Sequence, residues 1–557
     1  MDSLTLSYGL GWQIDTPLHN LQFEGIGVTC YIPGQQSKVF STAPKNLNYP
    51  GDPGCNNAQG ATTKYYQFGP RFGFAYVPNL GWLSSGGSRK LSIRGGFGIY
   101  YNRTEQETSL QNLEDPPFGL TTNGAIDYGV ATNPSFADPF HDLNVGGSAG
   151  SYPNKFPFSP PTAGATPNFN VLKPFILSQY NPAFRSPYSQ NVQLTVEREL
   201  PGRAVMKIGY VGSFARHNQS TIEGNPITAV GQAACFADAT CTTNRRTQSQ
   251  RYPTHTQFGY ADPTFNSGQN AFPSQGFISS TSSSNYNALQ ISMDKGLTHG
   301  LQMQASYTYS HALDDASSFE GSGFGVTNGR GYNQFLQSLN YGSSTFDARH
   351  RFVLAPIYAV PFRGSGGTFS AYNLLASGWQ LSGIVTFATG QPFDIAYSSN
   401  AASPGNSMWC SPGTSFYTCP DVPQQIAPIV RPNIRTMVVN STGVSQNKTA
   451  FFTTPTLFPG TNASFTAQPL GTFGNVDRNQ YHGPGINNWN VIIAKNFTLS
   501  ADGVRWLQIR MESDNVFKHT QFANPTGTFT SANFGAITAV NTGTPARQTQ
   551  LAAKFYF

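Results

Sequence analysis

Apolar and polar residues alternate with period two in twelve separate stretches of this chain, and the links between those stretches are short and long by turns. Successive side chains of an extended chain point to opposite faces, so each stretch reads as a strand with one apolar and one polar face. In "SQNVQLTVEREL", Val192, Leu194 and Val196 oppose Asn191, Gln193, Thr195 and Glu197. In "LQMQASYTYSHAL", Leu301, Met303, Ala305, Tyr307 and Tyr309 oppose Gln302, Gln304, Ser306, Thr308 and Ser310. The alternation predicts strands near 3–14, 65–79, 90–102, 187–200, 203–216, 284–297, 300–313, 346–361, 374–388, 488–499, 504–517 and 546–557.

The links carry a phase. Pro201-Gly202, Leu297-Thr298-His299 and Ala501-Asp502-Gly503 are of hairpin length with Gly or Pro chemistry. Between them run long segments, 15–64, 103–186, 217–283, 314–345, 389–487 and 518–545, rich in Pro, Gly, Asn, Ser and Thr. Every long segment follows an odd-numbered strand and every short link an even-numbered one. Long structureless loops are uncommon in compact soluble domains. Long loops at one end and short turns at the other are the pattern of an antiparallel up-and-down transmembrane β-barrel, with long extracellular loops and short periplasmic turns.

Composition agrees. Charged residues make up 11% of the 557, against roughly 25% in average globular proteins. A barrel needs few charges, because one face of its wall meets lipid. The net charge of +6 is small for the length and forms no basic stripe, which speaks against nucleic acid as a partner. No apolar run approaches the roughly 18–20 residues of a membrane-spanning helix. "MDSLTLSYGLGWQ" has neither a basic start nor an unbroken apolar stretch, so it does not read as a signal peptide. It reads as a strand, which leaves either a cytoplasmic protein or one whose natural beginning is missing.

Seven phrases then stand in order: "PRFGFAYVP", "KLSIRGGFGIYYNR", "SPYSQNVQLTVEREL…KIGYVGSFARHN", "NYNALQISMDKGLTHGLQMQASYTYSHALDD", "DARHRFVLAPIYAVPF", "GWQLSGIVTFATGQPF" and "LQIRMESDNVFKHTQFANP". Together they resemble the carboxy-terminal half of Oar-like TonB-dependent outer-membrane receptors of the Acidobacteria type. One departure is "RMESDNVF", since related chains more often carry an aromatic near Asp514. The resemblance implies a 22-stranded barrel with an amino-terminal plug whose periplasmic motif is pulled by the TonB complex. The twelve strands would be its second half, and residues 1–557 a partial barrel domain lacking signal peptide, plug and first strands. It implies outer-membrane lipid and an unknown surface ligand as partners, and no cofactor. It also gives a role to the last strand, "RQTQLAAKFYF". Barrels of this kind end on an aromatic residue within an alternating strand, so Phe555 and Phe557 are the expected signal for the barrel assembly machinery, which pairs along the strand edge.

Enzyme chemistry is poorly supported. "EGSGFG" at Gly321, Ser322 and Gly323 lacks the strand-to-helix context of a phosphate loop. The His-acid groupings are His311 with Asp314 and Asp315, and Asp347 with His350. His311 shares the beat of Tyr307 and Tyr309, and His350 that of Phe352 and Leu354, so both read as aromatic-girdle residues facing the membrane interface. On the inward beat, Asp314, Asp347, Arg349 and Arg351 form a candidate lumen charge ladder pairing across strands, with Arg510 and Glu512 as a second group. The reading is structural first, with ligand or plug contact as the functional alternative.

Six cysteines fall as Cys30 and Cys55, Cys235 and Cys241, Cys410 and Cys419, each pair inside one long loop. Six cysteines allow fifteen pairings. Strands and lumen separate cysteines of different loops, whereas partners within one loop are near by closure, so these three pairs are the expected disulfides in an oxidising periplasm. Free thiols or metal ligands are the alternatives, and no two cysteines have zinc-knuckle spacing.

The functional expectation is a receptor and transporter barrel that binds a scarce bulky solute at the surface and passes it to the periplasm without bond chemistry. A self-contained porin or adhesin, an outer-membrane hydrolase and a soluble β-rich carbohydrate-binding protein are the rivals.

Overall fold

The computed structural model describes residues 3–103, 116–118, 159–223, 274–317, 340–397 and 422–557, apart from short interruptions at 20, 33, 46, 60–62, 79–90, 168, 170–175, 182, 363–369, 433–436, 440–444, 459–460, 469–473, 501 and 545. All twelve expected strands are present. They are β1 (Ser3–Asp15), β2 (Lys64–Val77), β3 (Leu91–Tyr101), β4 (Tyr188–Leu200), β5 (Ala204–Glu223), β6 (Ser274–Thr298), β7 (Leu301–Asp314), β8 (His350–Ala359), β9 (Trp379–Ala388), β10 (Ile486–Thr498), β11 (Trp506–Asp514) and β12 (Gln548–Tyr556). Each pairs antiparallel with its sequence neighbours, and the order across the sheet is the order in the chain. β1 and β12 do not pair with each other, so the meander is an open sheet rather than the narrow twelve-strand closure. Among the described residues no helix is long and apolar enough to cross a membrane. The crossing elements are strands.

Register fixes the two faces. One row across the last six strands runs Leu301, Tyr358, Leu381, Ile493, Met511, Leu551. One residue further along, the row on the opposite face runs Gln302, Ile357, Ser382, Ile492, Glu512, Gln550. The first six strands obey the same rule. Leu4, Leu6, Tyr8 and Leu10 stand exposed on β1 with Tyr76, Phe74, Phe72 and Pro70 opposite them on β2. Leu194, Val196, Leu289, Ile509 and Leu551 are exposed on this apolar face, as their beat requires. Val385 shares the face but is only 7% exposed, contrary to its beat, because Leu354 and Trp489 flank it in register on β8 and β10.

Several boundaries differ from the alternation. β5 and β6 run beyond 203–216 and 284–297, through "HNQSTIE" and "SQGFISSTSS". These extensions are mostly polar on both beats, so the period that marks a half-buried strand is missing from them. The short strand Ile176–Tyr180 pairs parallel with β6 there. β8 starts later than expected because the Asp347 N–H donates to the Ser344 carbonyl at 2.9 Å, bending the chain before the ladder begins. β9 starts at Trp379 because a one-turn helix, α1 (Ala371–Leu375), precedes it and accepts the Trp379 indole N–H at the Leu375 carbonyl, 2.8 Å away.

The β6–β7 turn sits one residue later than the links suggested. Thr298 pairs with Leu301, leaving His299 and Gly300 as the loop, with φ of 49° and 81°. Two central residues at positive φ match the twist of the flanking strands. A side chain at Gly300 would put its Cβ 2.2 Å from the Ala359 carbonyl oxygen, so only glycine fits.

The packed apolar cores lie in the long loops, not between the faces. In the first loop Ile26, Phe40, Leu47 and Tyr49 bury against Phe118 and Phe169. Cys30 and Cys55 staple that loop as expected, with Cα atoms 5.7 Å apart. Asp52 organises it, accepting from the Ser37 hydroxyl at 2.6 Å and from the N–H groups of Lys38 and Tyr49 at 2.6 and 2.9 Å. The other four cysteines, Cys235, Cys241, Cys410 and Cys419, lie outside the described residues. A second core joins the β9–β10 and β11–β12 loops through Phe393, Ile395, Phe451, Phe452, Phe465 and Phe534.

The faces make a testable statement. Leu507 stands opposite Phe497 and Phe555 on the apolar face, and Gln508 points the other way. Leu507→Arg is expected to cost about 2–4 kcal/mol in a bilayer, and Gln508→Arg much less. Reversible unfolding in phospholipid vesicles measures both, and equal costs would place the register one residue out.

Candidate functional site

The two faces of the sheet assign the site. Cavities open onto the polar face, which is therefore the concave one. The larger, about 660 Å³, spans the inner residues of β7 to β12, including Gln304, Ile357, Ser382, Asn490, Glu512 and Gln550. A second, about 560 Å³, lies against β1 to β5, where the Arg71 guanidinium rests 4.7 Å from the centre of the Tyr100 ring. Carboxamides, hydroxyls and short side chains dominate both walls. Such groups can donate and accept without a charge that must be neutralised.

Arg510 and Glu512 are neighbours on the inner face of β11 and form an ion pair. Gln550 of β12 donates its amide N–H to Glu512. The second charge group of the sequence is thus brought together, on one strand and beside the larger cavity.

The first group is not a cross-strand ladder. Asp314, buried at the end of β7, pairs with Arg478 of the β9–β10 loop, and both side chains are only 2% exposed. Arg478 Nη1 donates to Asp314 Oδ1 and to the Asp314 carbonyl, each at 2.6 Å, and to the Asn340 carbonyl at 3.2 Å, while Nη2 reaches the Ser317 hydroxyl. Ser344 also donates to Asp314 at 2.5 Å. Every acceptor of the buried carboxylate is therefore engaged, and none is left for Arg349 or Arg351. Arg351 instead stands exposed on β8, opposite Thr308 and Ala388.

Asp347 makes a second cluster at the rim. It accepts from the Ala312 N–H at 2.8 Å and from Arg349 Nε at 3.1 Å, with its side chain fully buried. His311 Nδ1 lies 3.3 Å away and His482 Nε2 3.9 Å away. Arg349 Nη2 is 2.9 Å from His311 Nε2. A guanidinium only donates, so Nε2 accepts and the ring proton sits on Nδ1, aimed at Asp347. A metal ion would have to displace that proton, and no group of metal-binding type occurs among the described residues. Burial draws Asp347 upward, but the nearby His482 ring and the bonds from the Ala312 N–H and Arg349 hold it below the usual carboxylate range. His311 thus belongs to a rim network and not to the girdle its beat suggested. The bend at Asp347 overrides parity there.

His350 does stand in an aromatic belt. The Tyr307 hydroxyl is 2.8 Å from its Nδ1, and the Tyr309 ring lies 5.0 Å away. The belt continues through Phe352, Phe387, Trp489 and Phe517 at centroid steps of 6.3, 5.8 and 5.5 Å. Phe555 and Phe557 stack at 5.8 Å on the exposed end of the last strand.

Arg478, His482 and Asp394 are site positions that alternation missed. They lie in loop segments with no periodicity, and only the polar density of "GNVDRNQYHGPG" marks two of them. They form the joint between the loop core and the barrel rim. Asn479, at φ 51°, donates its N–H to Asp394 Oδ1 at 3.1 Å and its side-chain amide to the Ser343 carbonyl at 2.7 Å. Burial, ahead of the opposing Asn479 bond and the Arg478 charge, pushes the Asp394 carboxyl from 3.8 up to about 7.

Two outcomes follow at this joint. Arg478→Ala leaves Asp314 buried and unpaired, which is expected to cost about 3–5 kcal/mol, and adding Asp314→Leu is expected to recover much of it. Hydrogen exchange of residues 474–485 reads both. A carboxyl raised on folding adds stability that is complete below about pH 3.8 and lost as the pH climbs through about 7. The same amides are therefore expected to be better protected at pH 5 than at pH 8, after correction for intrinsic exchange, and Asp394→Asn is expected to flatten that difference.

Solved structures that match this chain include outer-membrane transporters and receptors. They include the outer membrane transporter YddB from Escherichia coli, at 8% identity over 88% of this chain and 41% of that chain, with a TM-score of 0.40. The pyoverdine outer membrane receptor FpvA from Pseudomonas aeruginosa PAO1 is 10% identical over 89% of this chain and 36% of that one, with a TM-score of 0.33. For the ferric citrate transporter FecA the values are 8%, 87%, 38% and 0.31. The chain thus spans less than half the length of each. No curated protein matches it. The family model of the Outer membrane beta barrel domain matches residues 1–550, and the chain, with its all-β meander, belongs to that outer-membrane family.

Proposed function

We propose that this chain is the carboxy-terminal wall of an Oar-like TonB-dependent receptor, whose complete form binds a scarce bulky solute at the cell surface and releases it to the periplasm. The observation that carries this reading is the phased twelve-strand meander, with a polar, cavity-bearing concave face and ordered loop cores at one end. Seven phrases in family order support it from the sequence.

The open edges fit the same reading. Among the described residues, β1 and β12 each leave one row of backbone groups without a neighbouring strand in the sheet. In lipid each unpaired group costs several kcal/mol, so further strands belong beside them in the membrane. A 22-stranded barrel supplies ten. Phe555 and Phe557 then serve as the recognition end for barrel assembly, and outer-membrane lipid covers the apolar rows. The rim carboxylates Asp314 and Asp347 are engaged by Arg478, Arg349 and the Ala312 N–H, which favours binding and passage over hydrolysis.

The test needs no knowledge of the solute. The complete gene product, in intact cells, is expected to cross-link to TonB, and purified into liposomes it is expected to give no swelling in arabinose. Absence of the cross-link together with rapid swelling would make it a passive porin instead.

A further inference from the structure

We infer that the larger cavity of the concave wall takes a cationic, amide-bearing solute, a short peptide or peptide-like molecule with a free ammonium group, and that Asp514 selects it. This rests on the reading of the wall as a solute path.

The lining supplies the chemistry. Gln302 and Gln304 project from β7, and Gln548 and Gln550 from β12, at opposite sides of a floor that includes Ile357 and Ile492. Each carboxamide offers both donors and acceptors, so it can meet a peptide N–H or a peptide carbonyl. The isoleucines offer apolar surface to side chains. No Phe, Tyr or Trp lines the cavity among the described residues, so a sugar ring would find no aromatic face to stack on. A volume of about 660 Å³ lies within the usual range for small-molecule sites.

Charge decides the class. No Lys or Arg lines the cavity among the described residues, while two carboxylates do. Glu512 is satisfied by Arg510 and Gln550. Asp514 is half-buried, and among the described residues its carboxylate has no ion pair and no hydrogen bond. Its backbone is held by the ladder to Gln548, so the carboxylate projects from a paired strand beside the cavity. A partly desolvated carboxylate without a partner favours a cation and repels an anion. An anionic chelate is the wrong occupant for this wall, and an ammonium carried on an amide backbone is the right one.

Three probes test this by equilibrium titration of the complete gene product in detergent: Lys-Gly-Leu-amide, N-acetyl-Gln-Gly-Leu-amide and N-acetyl-Glu-Gly-Leu-amide. The cationic peptide is expected to bind at least tenfold more tightly than the neutral one, and the anionic one more weakly still. Asp514→Asn keeps the shape and is expected to abolish the cationic margin while leaving the neutral peptide unchanged. Gln304→Leu is expected to weaken all three several-fold without altering their order. Equal binding of the three, or a margin that survives Asp514→Asn, overturns the charge assignment. Binding unaffected by Gln304→Leu overturns the amide assignment. Failure of all three to bind overturns the inference as a whole. In each case TonB cross-linking reports separately whether the transport reading stands.

Discussion

Backbone hydrogen bonding between neighbouring strands is the interaction on which everything else in this molecule rests. In hydrocarbon no water replaces a missing partner, so a spanning strand must be paired along its length. The twelve strands meet this demand in the simplest way, each bonded to the strand before and after it in the chain. Short turns follow from this arrangement, since antiparallel neighbours need only two or three residues at one end. His299-Gly300 shows how tight the requirement is, because the turn abuts the Ala359 carbonyl and admits no side chain at Gly300.

Once the ladder is set, side chains have two destinations, and neither is a conventional core. A one-residue step moves from Leu381 to Ser382, or from Met511 to Glu512, and so from the apolar face to the cavity. Apolar burial within the protein therefore has to occur elsewhere, and it occurs in the long loops. There Phe393, Phe452, Phe465 and Phe534 pack as they would in a soluble domain, and Cys30–Cys55 staples the first loop. The described parts of these loops are thus packed bodies, and a packed body must be attached to the wall. Arg478 provides that attachment by carrying a loop-borne charge into the end of β7.

The strands were legible in the sequence because half-buried strands advertise a period of two. Their faces were legible for the same reason, and Leu194, Ile509 and Leu551 stand where the beat put them. Where both beats are polar, as in the upper parts of β5 and β6, the signal vanished though the strands continue. The charge groups show the second limit. Arg510 and Glu512 share a strand, and their pairing was readable from it. Asp314 and Arg478 lie 164 residues apart, and no local pattern joins them. Parity failed at His311 for a related reason, since a bend outside the ladder delivered Asp347 to it. The disulfide was readable because loop closure brings Cys30 and Cys55 near, a constraint of chain connectivity rather than of side-chain pattern.

Period two also divides the freedom to vary. The apolar beat answers only to lipid, so any side chain of suitable hydrophobicity serves there. The polar beat answers to nothing general. A carboxamide, a serine or a carboxylate fits the wall equally well as structure, because water or a solute can satisfy it. Specificity can therefore be written on that beat without disturbing the fold, one residue per two, on strands whose positions are fixed by their neighbours. For the selectivity proposed at Asp514, a paired strand fixes where the side chain starts, which a loop tip does not. The wall is where a pattern of donors, acceptors and charge is held on strands paired along their length.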